Sequence, residues 1–286
     1  MSKEVSKAKT VGLIAGGGEL PLAVAQGCKA AGYGVSVVAL DGVKHDLPDS
    51  INVKVHDAAK LGAITKTFKK AGCTHICFAG TVPRPDFARL RPDWKGLRRL
   101  PSVLKAARHG DDALLSSLLS SFENEGFKVI APQELCAHIL MPDGHLGSVS
   151  MEPIHREDAE KACRIAREIG ALDIGQAAVV CSGLVLAVEA QEGTDAMLQR
   201  IAELPLTVRG TSNQRRGVLA KMVKPGQETR VDLPTIGPRT IELAAAAGLA
   251  GIVTEGGSSF VLSREAVIEL ADAEGLFVAG LPSVAS

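Results

Sequence analysis

The first half of the chain alternates short apolar segments with helical segments, and this alternation limits the possible folds more than any other feature. Each apolar segment is short enough for a buried strand, and glycines such as Gly32 and Gly72 end the helices between them. A strand, a helix and a second strand in succession are typical of a parallel sheet. The predicted strands are 11–15, 35–40, 51–55, 75–79 and 127–131. The sequence therefore predicts a parallel α/β domain.

The second half predicts a different, mixed α/β domain. A long amphipathic helix over 155–169 precedes a β-hairpin over 177–188, and helices and strands then alternate toward the C-terminus. The segment 141–148 is rich in turn-forming residues and has no hydrophobic period, so we place the boundary there. The predicted domains are 1–145 and 146–286.

Composition argues against several classes of partner. The 32 basic and 32 acidic residues balance, and aromatic residues make up 3% of the chain, so we expect no nucleic-acid partner. The apolar runs 177–188 and 243–253 are shorter than the about 20 residues that span a bilayer. The N-terminus lacks the apolar core of a signal peptide. We expect a cytoplasmic protein without a transmembrane segment, whose six cysteines are reduced core thiols.

Three consecutive glycines, Gly16, Gly17 and Gly18, lie between the first predicted strand and its helix. Glycines allow a phosphate to approach the backbone, and a helix N-terminus offers it N–H groups. Asp41 ends the next strand, where dinucleotide-binding folds hold a ribose with an acid. The last glycine of the Gly-x-Gly-x-x-Gly fingerprint is absent, so a plain turn between strand and helix remains an open alternative.

Two further loops in the first half carry candidate binding residues. Gly80 and Arg84 follow the predicted strand 75–79, where open α/β sheets place their ligands. The planar guanidinium suits a phosphate, although a local pair with Asp86 explains Arg84 equally well. The pair Asp111-Asp112 opens the next helix, and an aspartate at this position most often caps the helix.

Three carboxylates lie close together at a turn in the second half. Glu189, Glu192 and Asp195 follow the second strand of the hairpin. Mg²⁺ takes a small number of such oxygens and completes its coordination with substrate phosphates and water. A purely structural turn, in which Thr194 or Asp195 caps the following helix, remains the alternative.

The segment 227–237 concentrates ionisable residues between an apolar strand that carries Lys221 and a predicted helix. Arg230 and Asp232 alternate with apolar residues, which predicts a strand with both charged side chains on one face. Such a strand end is a candidate position for chemistry. The alternative is that Asp232 is a solvated carboxylate or caps the helix.

Carboxylates, cationic side chains and glycine loops are the groups that pyrophosphate cleavage needs. A metal and cations neutralise the phosphates, while a carboxylate holds the metal or orients water. No Gly-x-Ser-x-Gly motif or zinc-binding His spacing is present. Three hypotheses remain open: a pyrophosphate hydrolase, a nicotinamide oxidoreductase and a non-catalytic nucleotide-binding regulator.

Six motifs in order resemble one family. They are LIAGGGELP at 13–21, FAGTVPRPDF at 78–87, GDDALL at 110–115, DIGQ at 173–176, VEAQEGTD at 188–195 and QETRVDLPTIG at 227–237. Together they resemble the two-domain UDP-2,3-diacylglucosamine pyrophosphatases of lipid A biosynthesis in Gram-negative bacteria. The resemblance covers nearly the whole chain.

The resemblance implies a function and a site. We expect hydrolysis of UDP-2,3-diacylglucosamine to 2,3-diacylglucosamine 1-phosphate (lipid X) and UMP, with Mg²⁺, a Rossmann-like N-terminal domain and a homodimer that contacts the inner membrane transiently. The resemblance also implies that water attacks the phosphorus nearer the sugar, and that Asp232 is the essential catalytic residue. The expected metal ligands are Asp232, Glu189, Glu192 and Asp195. The expected substrate contacts are Gly16, Gly17, Gly18, Gly80, Arg84, Asp111, Asp112, Thr194, Lys221, Gln227 and Arg230.

Overall fold

The chain folds into two units. The computed structural model describes residues 9–82, 91–107 and 110–282. One unit comprises Met1–Ala137 with Glu228–Val231, and the other comprises His138–Gln227 with Asp232–Ser286. The change of unit after Ala137 comes earlier in the chain than the predicted change at 145, since Gly144–Leu146 already pairs with a strand of the C-terminal sheet.

The sheet of the N-terminal unit is parallel. Its strands are β1 (Thr10–Ala15), β2 (Gly34–Leu40), β3 (Val53–His56), β4 (Cys73–Ala79) and β5 (Lys128–Val129). They follow the order β3-β2-β1-β4-β5, so β1 lies at the centre and is apolar and buried along most of its length. The predicted α/β fold, Rossmann-like in its sheet, is confirmed.

The N-terminal unit also contains helices, which pack on the sheet or on one another. They are α1 (Leu20–Ala30), α2 (Leu61–Lys70), α3 (Trp94–Ala107), α4 (Asp111–Glu123) and α5 (Pro132–Leu135). Phe68 and Phe127 meet edge to face in the core. The prediction that an aspartate caps α4 is wrong, because Gly110, with a φ of 112°, is the N-cap and Asp111 is already helical.

The C-terminal unit contains a mixed sheet of order β6-β13-β11-β9-β7-β8 and a small parallel pair, β10 with β12. The strands are β6 (Gly144–Leu146), β7 (Ala177–Cys181), β8 (Leu184–Val188), β9 (Val218–Lys221), β10 (Thr235–Ile236), β11 (Gly251–Glu255), β12 (Phe260–Val261) and β13 (Phe277–Leu281). The predicted hairpin is confirmed as the antiparallel pair β7 and β8.

Helices cover both faces of the C-terminal sheet. They are α6 (Arg156–Ala171), α7 (Gly193–Ala202), α8 (Pro238–Ala246) and α9 (Arg264–Glu274). The small residues of α6, among them Ala162 and Ala166, pack on one face, which includes Val180. Residues of α7, α8 and α9 form the core on the other. Strands buried on both faces are continuous apolar runs, as in β7.

All six cysteines are free and buried, which confirms the prediction of reduced core thiols. Burial raises the pKa of Cys28 to about 11 and that of Cys136 to about 12. These thiols are therefore protonated at neutral pH and unreactive. Among the helices that the structure describes, none combines the length and the apolar character needed to cross a bilayer.

Candidate active site

One edge of the C-terminal sheet collects polar side chains from several strands. β9 and β11 run parallel and end together, and β7, antiparallel to β9, begins beside the end of β9, where Ala177 pairs with Lys221. β8 ends at the same edge, since Val188 pairs with Ala178. Seven polar residues lie at the ends of these strands or in the segments that enter and leave them, and we call this set the polar edge: Asp173, Gln176, Glu189, Lys221, Lys224, Gln227 and Asp232. Ends of parallel strands are where α/β sheets commonly bind ligands.

Gln227 holds the carboxylate of Asp232. Its Nε2 donates to Asp232 Oδ2 at 2.5 Å, and its Oε1 accepts the backbone N–H of Lys224 at 3.0 Å. The Gln227 side chain is buried, whereas Asp232 is partly exposed. Among the described residues, Gln227 is the only hydrogen-bond partner of this carboxylate. Asp232 is therefore positioned through one oxygen and can bind a ligand through the other.

Two ammonium groups lie on the same edge. Lys221 Nζ donates to the carbonyl oxygen of Thr235 at 3.0 Å, and Lys224 Nζ pairs with Asp173 Oδ1 at 2.8 Å. The Lys224 side chain is only 12% exposed. Fixed, partly buried cations of this kind stabilise phosphate charge better than mobile surface lysines do.

Glu189 is a buried carboxylate with both oxygens already hydrogen-bonded. The backbone N–H of Gln176 donates to Oε2 at 3.0 Å, and the Thr194 hydroxyl donates to Oε1 at 2.7 Å. The prediction that Thr194 or Asp195 caps α7 is wrong. α7 begins at Gly193, so both residues are inside its first turn, and the Thr194 hydroxyl is used by Glu189 instead.

The four predicted metal ligands are not gathered into one cluster. Glu192 pairs with Arg200 at 2.8 Å, and the exposed Asp195 is 3.9 Å from Arg239. Within the described ranges, no group of three or more His, Cys, Asp or Glu side chains could hold a metal ion. Mg²⁺ commonly needs only one or two protein carboxylates together with substrate phosphates, so the magnesium site stays a prediction.

The predicted strand through Arg230 and Asp232 is wrong. Residues 229–231 form a turn in which the Val231 N–H donates to the Glu228 carbonyl. Arg230 makes a two-point contact with Glu228, at 2.8 and 2.7 Å, and a 2.8 Å ion pair with Glu123. Glu228–Val231 belongs to the N-terminal unit and Asp232 to the C-terminal unit. Arg230 and Asp232 therefore do not share a strand face.

The Arg230 contacts also shift two pKa values. Hydrogen bonds from Arg230 lower the pKa of Glu228 below 4.5, although partial burial opposes this. Hydrogen bonds to Glu228 and Glu123 raise the pKa of Arg230. The guanidinium is thus neutralised by two carboxylates within its own unit.

The three-glycine loop is hydrogen-bonded to the segment after β4. The N–H groups of Gly16 and Gly17 donate to the carbonyls of Ala79 and Thr81, both at 2.8 Å. A Cβ on Gly80, whose φ is 92°, would lie 2.5 Å from the Gly17 carbonyl oxygen. Close backbone packing therefore explains why glycine is found at positions 16, 17 and 80. The N–H groups of Gly16 and Gly17 already donate to carbonyl oxygens of the protein.

Gly18 differs from its neighbours in the loop. Its φ is 80°, and a Cβ there would have no atom within 4 Å. It lies at the start of α1 and forms a β-bridge with His45. The buried Nδ1 of His45 has no hydrogen-bond partner within the described residues. His45 therefore lies beside the glycine loop, and none of the motifs identified in the sequence includes it.

Arg84, Asp111 and Asp112 are the remaining predicted substrate contacts in the first half of the chain. Arg84 lies outside the described residues, and Asp86 does as well. Asp111 and Asp112 are in the first turn of α4. The side chain of Asp111 is not among the parts that the structure describes. Asp173, Gln176 and Lys224 were not among the predicted site residues. The DIGQ motif was a signal for the first two, because it directly precedes β7.

Fold and site together define a class: a two-unit α/β protein with a Rossmann-like unit and a second unit whose mixed sheet carries carboxylate, amide and ammonium groups at one edge. Comparisons with known proteins identify the family. Residues 10–139 match the LpxI N-terminal domain, and residues 142–279 match the LpxI C-terminal domain. The chain belongs to the LpxI family.

A curated relative supports the assignment over the full length. The chain is 54% identical over 273 residues to the UDP-2,3-diacylglucosamine pyrophosphatase LpxI of Caulobacter vibrioides, covering 96% of this chain and 98% of that protein. Among solved structures, a putative NAD-dependent epimerase/dehydratase from Methylobacillus flagellatus aligns over 98% of this chain and 86% of its own, with 11% identity and a TM-score of 0.29. That similarity is too low to support an inference about fold or function.

Proposed function

We propose that this chain hydrolyses the pyrophosphate bond of UDP-2,3-diacylglucosamine, giving UMP and 2,3-diacylglucosamine 1-phosphate (lipid X) in lipid A biosynthesis. The observation that carries the proposal is the 54% identity, across nearly the whole chain, to a relative named for this activity. The polar edge is consistent with it, because it supplies the carboxylate and cations that phosphorus chemistry needs.

Asp232 is the proposed catalytic residue, and Gln227 is its positioning residue. The hydrogen bond from Gln227 holds one carboxylate oxygen and leaves the other available to a ligand. Lys221 and Lys224 are the proposed cations that stabilise charge on the pyrophosphate oxygens. Water attacks the phosphorus nearer the glucosamine, and UMP leaves with the oxygen that bridged the two phosphorus atoms.

Mg²⁺ is the proposed cofactor, and the donor set fits it in part. Asp232 has an oxygen available, so it fits a metal ligand, whereas both oxygens of Glu189 already accept hydrogen bonds. Glu192 and Asp195 stay candidate ligands. When bound, the ion would supply positive charge that stabilises negative charge on the phosphate oxygens in the transition state, and it would orient the phosphates.

The experiment is a measurement of UMP release. Purified protein with UDP-2,3-diacylglucosamine and Mg²⁺ should release UMP, and the release should stop in EDTA and return when Mg²⁺ is added in excess. Release that is undiminished by EDTA would reject the metal role. No release under any divalent cation would reject the activity.

The assembly and location of the enzyme are further proposals from the family resemblance. We propose a cytoplasmic homodimer that contacts the inner membrane transiently, where its acylated substrate resides. Light scattering after size exclusion should give twice the 29.8 kDa mass of one chain. A monomer mass at micromolar concentration would reject the dimer.

A further inference from the structure

Helix α3 carries an exposed apolar stripe. Trp94, Leu97, Pro101 and Leu104 are spaced three or four residues apart and therefore lie on one helix face; we call them the α3 stripe. Trp94 is 73% exposed, Leu97 50% and Leu104 37%. Single exposed apolar residues are ordinary, but a continuous row that includes a tryptophan marks an interaction surface.

Cationic side chains lie directly beside this stripe. Arg98 follows Leu97 and Lys105 follows Leu104, and both are exposed. The helix sequence WKGLRRLPSVLKAA contains four cationic residues and no acidic one. An apolar row bordered by cations is complementary to a surface that is apolar inside and anionic outside.

The opposite face of α3 is fixed, so the stripe cannot turn inward. The Asp93 carboxylate accepts the N–H groups of Ala63 in α2 and Gly96 in α3, both at 2.9 Å. Gly96 packs so closely that a Cβ there would lie 2.1 Å from the Ala59 carbonyl oxygen. Lys95, on the flank of the helix, pairs with Glu125 at 2.7 Å.

We propose that the α3 stripe docks this protein on the anionic surface of a lipid bilayer. Trp94 and the leucines insert at the boundary between headgroups and acyl chains, and Arg98 and Lys105 contact lipid phosphates. The reason for such docking rests on the proposed function, since a diacylated substrate has to be taken from a membrane. The surface itself follows from exposure and charge alone.

The single tryptophan of the chain makes the test specific, because its fluorescence reports only on the stripe. The full-length protein is titrated with vesicles of phosphatidylethanolamine and phosphatidylglycerol, and with phosphatidylcholine vesicles. We expect a blue shift of Trp94 emission and co-sedimentation with the anionic vesicles, both weakened by high salt. Unchanged emission with anionic vesicles would overturn the proposal.

Variants assign the binding to the stripe. Leu97→Glu with Leu104→Glu should weaken vesicle binding about tenfold or more, because a carboxylate resists insertion beside lipid phosphates. Ile154→Glu replaces a more exposed apolar residue outside the stripe, at 76% exposure, and should bind as the unmodified protein does. Equal losses in both variants would overturn the proposal, as would an emission shift that depends on protein concentration without lipid, which indicates a second copy.

Turnover of substrate dispersed in detergent separates this proposal from the proposed function. The Leu97→Glu, Leu104→Glu variant should keep that turnover, since the micelle needs no bilayer docking. Vesicle binding without any turnover by the unmodified protein would support the surface and reject the activity. Normal turnover without vesicle binding would reject the surface alone.

Discussion

Replacing Asp232 by Ala and by Asn separates a chemical role from a structural one. Gln227 is buried, and its amide donates to Asp232 Oδ2 at 2.5 Å. Asp232→Ala leaves this donor without an acceptor, which should lower the free energy of unfolding by about 1–3 kcal/mol. Asp232→Asn keeps an acceptor oxygen, so the loss should be about 1 kcal/mol, the difference between a charged and a neutral hydrogen bond.

The loss of turnover in the two variants should not follow their loss of stability. If the carboxylate binds Mg²⁺ or orients water, both variants lose the charge that acts in the transition state, and each should lower kcat about 100-fold or more. That factor corresponds to about 2.7 kcal/mol of activation free energy. Activity should thus fall equally in two variants that differ in stability.

The assay combines UMP release with urea unfolding of each variant. Asp158→Asn is the matched control: Asp158 is a buried carboxylate that accepts the N–H groups of Ser182 and Gly183, at the turn of the β7–β8 hairpin and away from the polar edge. It should lose stability and keep its activity. An Asp232→Asn enzyme with turnover near that of the unmodified protein would refute the catalytic role.

Other predictions follow from the same contacts. Gly80→Ala should lower the free energy of unfolding by about 3 kcal/mol or more, because this position has a positive φ and the new Cβ clashes with the Gly17 carbonyl. Gly18→Ala has the positive φ without a clash and should cost only about 1–2 kcal/mol. Urea unfolding of both variants measures the difference. Thr194→Val should cost about 1.5–3 kcal/mol by removing a bond to buried Glu189, and an unchanged melting temperature would contradict this. The pKa of Glu228 is lower in the folded state, so its ion pair with Arg230 stabilises the folded protein above pH 4.5, and this stabilisation is lost as the pH falls through the folded pKa. The difference in unfolding free energy between the unmodified protein and Glu228→Gln should therefore vanish in acid.

The strands were predictable because burial on both faces requires apolar runs. β1 and β7 are such runs, and no polar side chain interrupts their centres. The strand predicted through 229–233 failed for the opposite reason. A five-residue alternation is too short to distinguish a strand from a turn, and here the ion pair of Arg230 with Glu123, distant in sequence, accompanies the turn.

The glycine loop shows a second limit of sequence reasoning. Three glycines after a strand are compatible with a phosphate site and with close backbone packing. The packing partner of Gly16 and Gly17 is the segment Ala79 to Thr81, which is remote in sequence and adjacent only in the folded sheet. The bond from Gln227 to Asp232 joins neighbours in sequence, but the burial that makes it rigid depends on the fold.

Turnover in ¹⁸O-labelled water tests the central claim most directly. The purified enzyme is incubated with UDP-2,3-diacylglucosamine and Mg²⁺, and both products are analysed by mass spectrometry. We predict one ¹⁸O atom in the phosphate of 2,3-diacylglucosamine 1-phosphate and unlabelled UMP. Label in UMP would contradict attack at the phosphorus nearer the sugar, and the absence of both products would contradict the assignment of a pyrophosphatase.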